Sequence, residues 1–354
     1  MLSEAWHELT SLAEALHIPV VTTMAGKGSI ADSHPLAVGV CGRYSRKVAN
    51  DVLADADFCL AIGTKLSSMG SDVFKYPRKG TRIVHIDLDA NSLGRTYREE
   101  LSILADAKTA IAMLTEAAKA SRVNVSRWAA WTKDVQGRVA ALFEDVERVS
   151  RDPLLDGRLN PYHVMRLLDQ HIGGPGAEDD VLVADTGYMA VWAVTMLRQK
   201  QAGRNTLRAA GSLGWAFPAA FGAKLAVGSK RRVFGLTGDG GIGYHLADFE
   251  TALRLKIPVV QIVMNNCSLA FEYHVQKYVH EELCPEASEF LDVPFADVAR
   301  AFGGFGERVT TPEQLIPALR RAEEAGKPAI IDVAVSRELP PPVTRYEAAG
   351  LRKI

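Results

Sequence analysis

Two apolar runs, residues 232–237 and 259–264, each give way at once to small polar residues. Gly238-Asp239-Gly240 follows the first and Asn265-Asn266 follows the second. Between them lies a stretch with Leu246, Phe249 and Leu253 on one helical face. A short apolar strand, a helix and another short apolar strand make a parallel crossover unit, which belongs in a sheet covered on both faces. The strands of such a sheet end on a common edge, and ligands bind outside that edge. Asp239 and Asn266, twenty-seven positions apart, therefore arrive as neighbours. They bring a carboxylate oxygen and an amide oxygen, and the carbonyl of Ser268 is a third candidate donor. Magnesium takes about six oxygens, few of them from protein and the rest from phosphate and water. The glycines beside Asp239 let backbone N–H groups approach phosphate oxygens at the start of a helix. The pattern predicts a magnesium-bound diphosphate.

The same alternation runs along most of the chain. In the first part, helical spacing covers residues 2–16, 47–54 and 108–120. Short apolar runs occupy 18–23, 58–62, 82–86 and 103–104. In the second part, Asn160-Pro161 caps a helix over 162–171, a small-residue helix spans 215–227, and strands are expected at 181–184, 232–237, 259–264 and 329–335. Between the two parts, residues 128–149 read as an exposed amphipathic helix, and Arg151-Asp-Pro-Leu-Leu-Asp-Gly as a turn. The expected fold class is α/β, two tandem three-layer doubly wound domains with mainly parallel sheets. The expected domains are 1–120 and 159–354, with a helical linker at 121–158. Pro340-Pro341-Pro342 marks an extended tail.

Bulk properties exclude several classes. A formal charge of -1 over 354 residues gives no field to recruit nucleic acid or an anionic membrane. There is no run of about 18 apolar residues and no signal peptide at the start. The four cysteines show no CxxC spacing and no clustering with histidine, which fits a reducing compartment. A cytoplasmic protein without nucleic-acid or membrane partners is expected.

The rival reading is a nicotinamide dehydrogenase, because Gly238-x-Gly240-x-x-Gly243 matches the dinucleotide fingerprint. That fingerprint wants an acidic residue about 20 positions on, at the end of the next strand, where this chain has Asn265-Asn266. An aspartate inside the turn would also repel a pyrophosphate unless a cation lay between them.

Gly238-Asp239-Gly240 through Asn265-Asn266 resembles the signature of the thiamine diphosphate enzymes, and the surrounding sequence is similar to their acetolactate synthase-like branch. Asp185-Thr-Gly-Tyr-Met-Ala-Val-Trp192 looks like the family's first diphosphate turn. The stretch beginning Gly211-Ser-Leu-Gly-Trp looks like the turn that holds the aminopyrimidine. Residues 1 to about 120, with Thr22-Thr23-Met24-Ala25-Gly26-Lys27-Gly28 and Val84-His85-Ile86-Asp87, resemble the family's central domain.

The resemblance implies thiamine diphosphate and magnesium as cofactors, and decarboxylation or carboligation of a 2-oxo acid. Asp239, Asn266 and the carbonyl of Ser268 would bind the metal. Thr186, Gly187, Tyr188, Gly240 and Gly241 would line the diphosphate, with Met189, Gly238, Ser212 and Leu269 also at the cofactor. The carbonyl of Gly211 would accept from the 4'-amino group, and Leu213 would be the apolar wedge that bends the cofactor, so these two carry the catalytic geometry. Gly241 stands where many relatives have serine, and Leu269 to Glu272 depart from the acetolactate synthase pattern. The family's N-terminal pyrimidine domain, with its glutamate, is not in this chain. The expectation is half a site, completed in a homo-oligomer or by a pyrimidine-domain subunit; the alternative is a non-catalytic cofactor-binding or oligomer-stabilising fragment. The family's central domain binds FAD in some members, and Gly63-Thr64-Lys65 and Asp87 leave FAD open here.

Other residues have plainer readings. His245 is expected to be a helix residue with a packing or hydrogen-bonding role. Cys267 reads as a small buried side chain rather than a reactive thiol, and Trp192 and Trp215 as core. Arg43, Arg46 and Lys47 read as a solvated helix face rather than a nucleotide site. Tyr273, His274 and Tyr278 fit a substrate channel and an ordinary helix face equally.

Overall fold

A computed structural model describes residues 1–342. Residues 343–354 of the expected second domain lie outside the described part. The chain divides into two compact units, residues 1–144 with 199–204, and residues 145–198 with 205–342.

In the first unit five parallel strands form a pair and a triplet. β1 (Val20–Thr22) lies beside β2 (Ala37–Val40), and β3 (Phe58–Ile62), β4 (Arg82–Asp87) and β5 (Leu101–Leu104) run in that order. Strand side chains alternate between faces, and the packing follows. Leu60 and Ile62 meet α1 (Trp6–Leu16) and α3 (Ala107–Ala120) around Leu12 and Ile111. Cys59, on the other face, packs in a cluster with α2 (Lys47–Asp55) and with Trp131, Val135, Val139 and Leu142 of α4 (Ser126–Val149). The amphipathic helix of the expected linker therefore forms, and its apolar stripe is packed rather than free. Arg46 also departs from expectation. It is 2% exposed, with Nη1 3.7 Å from Asp32, so it is not on a solvated face. Lys47 does stand on the surface, paired with Asp51.

The second unit opens with a two-stranded antiparallel ribbon, β6 (Leu154–Leu155) and β7 (Arg158–Leu159), and then α5 (Pro161–His171). The Asn160 side chain caps α5 by accepting from Tyr162 N at 2.9 Å. Six parallel strands follow: β8 (Val181–Ala184), β9 (Thr206–Arg208), β10 (Val233–Gly238), β11 (Val260–Asn265), β12 (Phe305–Val309) and β13 (Ala329–Ala334). Their order across the sheet is β12-β13-β11-β10-β8-β9. The helices between them are α6 (Tyr188–Met196), α7 (Ala216–Val227), α8 (Asp239–Ile242), α9 (Asp248–Arg254), α10 (Ala270–Val275), α11 (Pro285–Ser288), α12 (Phe295–Ala301) and α13 (Pro312–Glu324).

One face of this sheet, with Val183, Val233, Val263 and Ile330, is covered by α7, α9 and α12 through Phe217, Phe249 and Ala299. Alternate strand residues face the other way. There His171 of α5 stands edge-on to Phe234 at 5.9 Å, and Tyr162 of α5 to Trp192 of α6 at 4.9 Å. Trp192 is core as expected, but Trp215 is 37% exposed and is not. Strands β8, β10 and β11 are buried along nearly their whole length, as a sheet covered on both faces requires. Being parallel, they deliver Asp185, Asp239 and Asn266 to one edge.

Candidate functional site

The turn expected to hold a metal is built at the ends of β10 and β11. These strands pair up to Gly238 and Met264, so Asp239 and Asn266 stand just past the last rungs. The Asp239 carboxylate is buried at 8% exposure. Its Oδ1 accepts from Gly240 N at 2.8 Å, and its Oδ2 from Asn266 N and Ser268 N at 3.1 Å each. Asn266 Oδ1 accepts from the same Ser268 amide at 3.0 Å. Cys267 between them has φ 57°, a left-handed conformation uncommon outside glycine, and this reverses the chain so that both flanking residues turn toward Asp239. Burial pushes the Asp239 carboxyl up to about 6, against the pull of the four amides of residues 240, 266, 267 and 268. The group has no ion-pair partner among the described residues, and such a buried charge calls for a cation. No group of three or more His, Cys, Asp or Glu that could hold a metal occurs among the described residues. A metal at Asp239 would thus have one carboxylate, and oxygen donors of amide, carbonyl and phosphate type fit magnesium rather than zinc.

The second turn leaves β8. Gly187 has φ 67°, ψ −141° and opens α6, so Thr186 and Gly187 present backbone at a helix start. Tyr188 and Met189 point inward. The Tyr188 hydroxyl lies 2.8 Å from His274 Nδ1, and Met189 lies under Gly238. Only their backbone is available to a ligand. The third turn, between β9 and α7, leaves Gly211 and Ser212 exposed and Leu213 half-buried, with Gly211 at φ 119°.

Asp185, 1% exposed, ties these turns together. Its Oδ1 accepts from Thr186 N at 3.0 Å, while its Oδ2 accepts from Gly214 N and Thr237 Oγ1, both at 2.9 Å. Sequence reasoning used Asp185 only to mark the turn and missed this role. A buried acid at a strand end, before Thr-Gly, was the available signal. Asp185 also explains Gly241. A Cβ there would lie 2.3 Å from Asp185 Oδ2 and 2.8 Å from Thr237 Oγ1. A Cβ on Gly240 would meet Leu269 at 2.7 Å, so Leu269 leans over the glycine turn.

α8 is only four residues long. A dinucleotide fingerprint needs its glycines to open a long crossover helix, so the dehydrogenase reading loses its structural support. Cys267 has its thiol raised by burial, with Arg158 acting against it, which argues against a reactive thiolate. His245, expected on a helix, stands in the turn between α8 and α9, with Nδ1 3.3 Å from Asp248 Oδ2.

Comparison with known proteins agrees with this geometry. Residues 185–333 match the family described as thiamine pyrophosphate enzyme, C-terminal TPP binding domain, and residues 1–114 match thiamine pyrophosphate enzyme, central domain. The chain belongs to the thiamine pyrophosphate enzymes. It is 28% identical over 342 residues to a probable acetolactate synthase large subunit of Methanocaldococcus jannaschii, covering 95% of this chain and 56% of the relative. It is 28% identical to a pyruvate oxidase of Lactiplantibacillus plantarum, covering 97% and 55%. A sulfoacetaldehyde acetyltransferase of Castellaniella defragrans is 29% identical, covering 98% and 60%. The chain thus spans a little over half the length of these relatives. No helix among the described residues is long and apolar enough to cross a membrane.

Proposed function

We propose that this chain carries the diphosphate- and magnesium-binding part of a thiamine diphosphate enzyme that decarboxylates a 2-oxo acid or joins its fragment to a second carbonyl. The observation that carries the reading is Asp239, a buried carboxylate with four amides around it and no ion-pair partner among the described residues. In this reading Asp239 Oδ, the Asn266 amide oxygen and the Ser268 carbonyl hold the metal. The backbone N–H groups of Thr186, Gly187, Gly240 and Gly241 take the diphosphate oxygens, and Tyr188, Met189 and Gly238 shape the floor.

Bound thiamine diphosphate would supply the thiazolium carbon that adds to the 2-oxo acid and accepts the electron pair left by carbon dioxide. The chain's part is placement. The Gly211 carbonyl would accept a hydrogen bond from the cofactor's amino group, half-buried Leu213 would pack against the cofactor, and Asp185 ties the turns at Thr186 and Gly214 to β10. Leu269, Ala270, Phe271 and Glu272 follow the metal turn and bear on substrate choice. The relatives' names span acetolactate synthase, pyruvate oxidase and acetyltransferase, so the shared chemistry is cleavage or formation of a carbon–carbon bond beside a carbonyl.

The glutamate that activates the pyrimidine in this family would come from a pyrimidine domain, on another subunit or on a longer form of this polypeptide. The test is carbon dioxide release from pyruvate and other 2-oxo acids by the complex recovered from source cells. Turnover that needs both magnesium and thiamine diphosphate supports the reading, and magnesium-independent turnover refutes it.

A further inference from the structure

Behind the metal turn lies a chain of charges that the cofactor reading does not use. Asn265 closes β11 with its side chain fully buried. Its Nδ2 donates to Asp332 Oδ1 at 3.0 Å, to Val293 O at 3.1 Å and to Asp292 Oδ1 at 3.3 Å. Asp332, on β13 and also fully buried, accepts at Oδ2 from Arg308 Nη1 of β12 at 3.1 Å. Arg308 Nη2 donates to both oxygens of Asp292, at 2.8 and 2.7 Å. Asp292 Oδ2 accepts from Arg158 Nη2 at 3.1 Å. Arg158, on β7, returns to the start. Its Nη1 donates to the Asn265 carbonyl at 3.3 Å and its Nη2 to Cys267 Sγ at 3.3 Å.

The circuit grips the Asn265 residue at its side chain and at its carbonyl. It also touches Cys267, whose φ of 57° is the one strained step of the turn. The carbonyl of Cys267 is held from outside by Phe290 N at 2.8 Å. With the peptide before Asn266 clamped, the Asn266 N–H is left donating to Asp239 and the Asn266 side chain accepts from Ser268 N beside it. Two arginines and two aspartates sum to no net charge, so the circuit adds no net charge beside the turn. Half-exposed pairs such as Arg158–Asp292 are also a poor source of stability. What four charged side chains from three strands and one loop can supply is geometry.

We propose that Arg158, Asp292, Arg308 and Asp332 are positioning residues that set the pose of the Asn265–Ser268 turn and thereby the magnesium affinity of the site. This rests on the magnesium–diphosphate reading above.

The experiment is calorimetric titration of magnesium, at saturating thiamine diphosphate, into the complex carrying Arg158→Met, Asp332→Asn, Asp239→Asn or Arg321→Met. The last removes an ion pair to Glu307 that does not touch the turn. Circular dichroism checks folding at the titration temperature. Should Asp332→Asn fail to fold, Arg158→Met carries the test, its side chain being 32% exposed. The expected result is a magnesium dissociation constant about tenfold or more weaker in Arg158→Met and Asp332→Asn, unchanged in Arg321→Met, with thiamine diphosphate affinity at saturating magnesium retained. Wild-type magnesium affinity in both network variants, with binding lost in Asp239→Asn, overturns the positioning role alone. Retained binding in Asp239→Asn overturns the site reading and this inference with it.

Discussion

Asp239 and Gly241 show how single residues fix the chemistry. The fold takes the Asp239 carboxylate out of water and surrounds it with amide donors, none of which carries a full charge. Replacing a supporting partner of a metal ligand costs 10–100-fold in affinity, and replacing the ligand itself should cost more. Asp239→Asn is therefore expected to weaken magnesium-dependent thiamine diphosphate binding beyond about a hundredfold, as read by equilibrium dialysis. Gly241 tests the packing behind it. With Asp185 Oδ2 2.3 Å from where a Cβ would stand, Gly241→Ser forces the hub carboxylate to move. Overpacking of this kind costs about 1–3 kcal/mol. A lowered melting temperature is expected, and an unchanged one would mean that Asp185 has room to shift.

At the scale of elements, the central strands were legible because their apolar runs have one explanation. Strands expected at 58–62 and 181–184 match Phe58–Ile62 and Val181–Ala184, and 259–264 differs from Val260–Asn265 by one residue at each end. The unread strands carry weak signals for physical reasons. β9 (Thr206–Arg208) and β12 (Phe305–Val309) are the edges of the six-stranded sheet, and edge strands are short or polar. β2 reads Ala-Val-Gly-Val, whose glycine has φ 114°. The site divides in the same way. Asp239, Asn266 and the glycines could be read from type and spacing. The inward turn of Tyr188, the hub role of Asp185 and the return of Arg158 from the expected linker depend on long-range pairing that spacing does not encode. Of the helix face expected at Leu246, Phe249 and Leu253, the last two lie on α9 while Leu246 stands in the turn before it; all three join one cluster, with Phe249 fully buried at 6.1 Å from both Phe217 and Phe302. Phe249→Ala should cost about 3–5 kcal/mol in urea denaturation; a loss near zero would mean the cluster is not core.

For the whole molecule, pH sets a further test. His274 is buried beside Tyr188, and burial lowers its pKa to about 4, with nearby Lys277 adding to this and Glu338 opposing it. The native state therefore refuses a proton that the unfolded chain accepts near 6.5. Stability from this group is complete above pH 6.5 and is lost as pH falls toward 4. His274 alone contributes a decline on the order of 3 kcal/mol over that window, opposed by Asp239, whose carboxyl is raised to about 6 and gains stability as pH falls. The His274 part is read as the difference between wild type and His274→Gln in denaturant midpoints, and an identical pH slope in the two would contradict the assignment. The four cysteines are free, so reductant should leave the melting temperature unaltered.

The chain covers a little over half of its relatives, so the central claim concerns the part in hand: Asp239, Asn266 and Ser268 hold a magnesium diphosphate. Native mass spectrometry of the complex recovered from source cells, with magnesium and thiamine diphosphate present, tests it most directly. The account predicts bound cofactor with a magnesium ion on the wild-type complex, and its loss from Asp239→Asn with the assembly otherwise unchanged. A wild-type complex that carries no cofactor, or an Asp239→Asn complex that keeps it, would contradict the account.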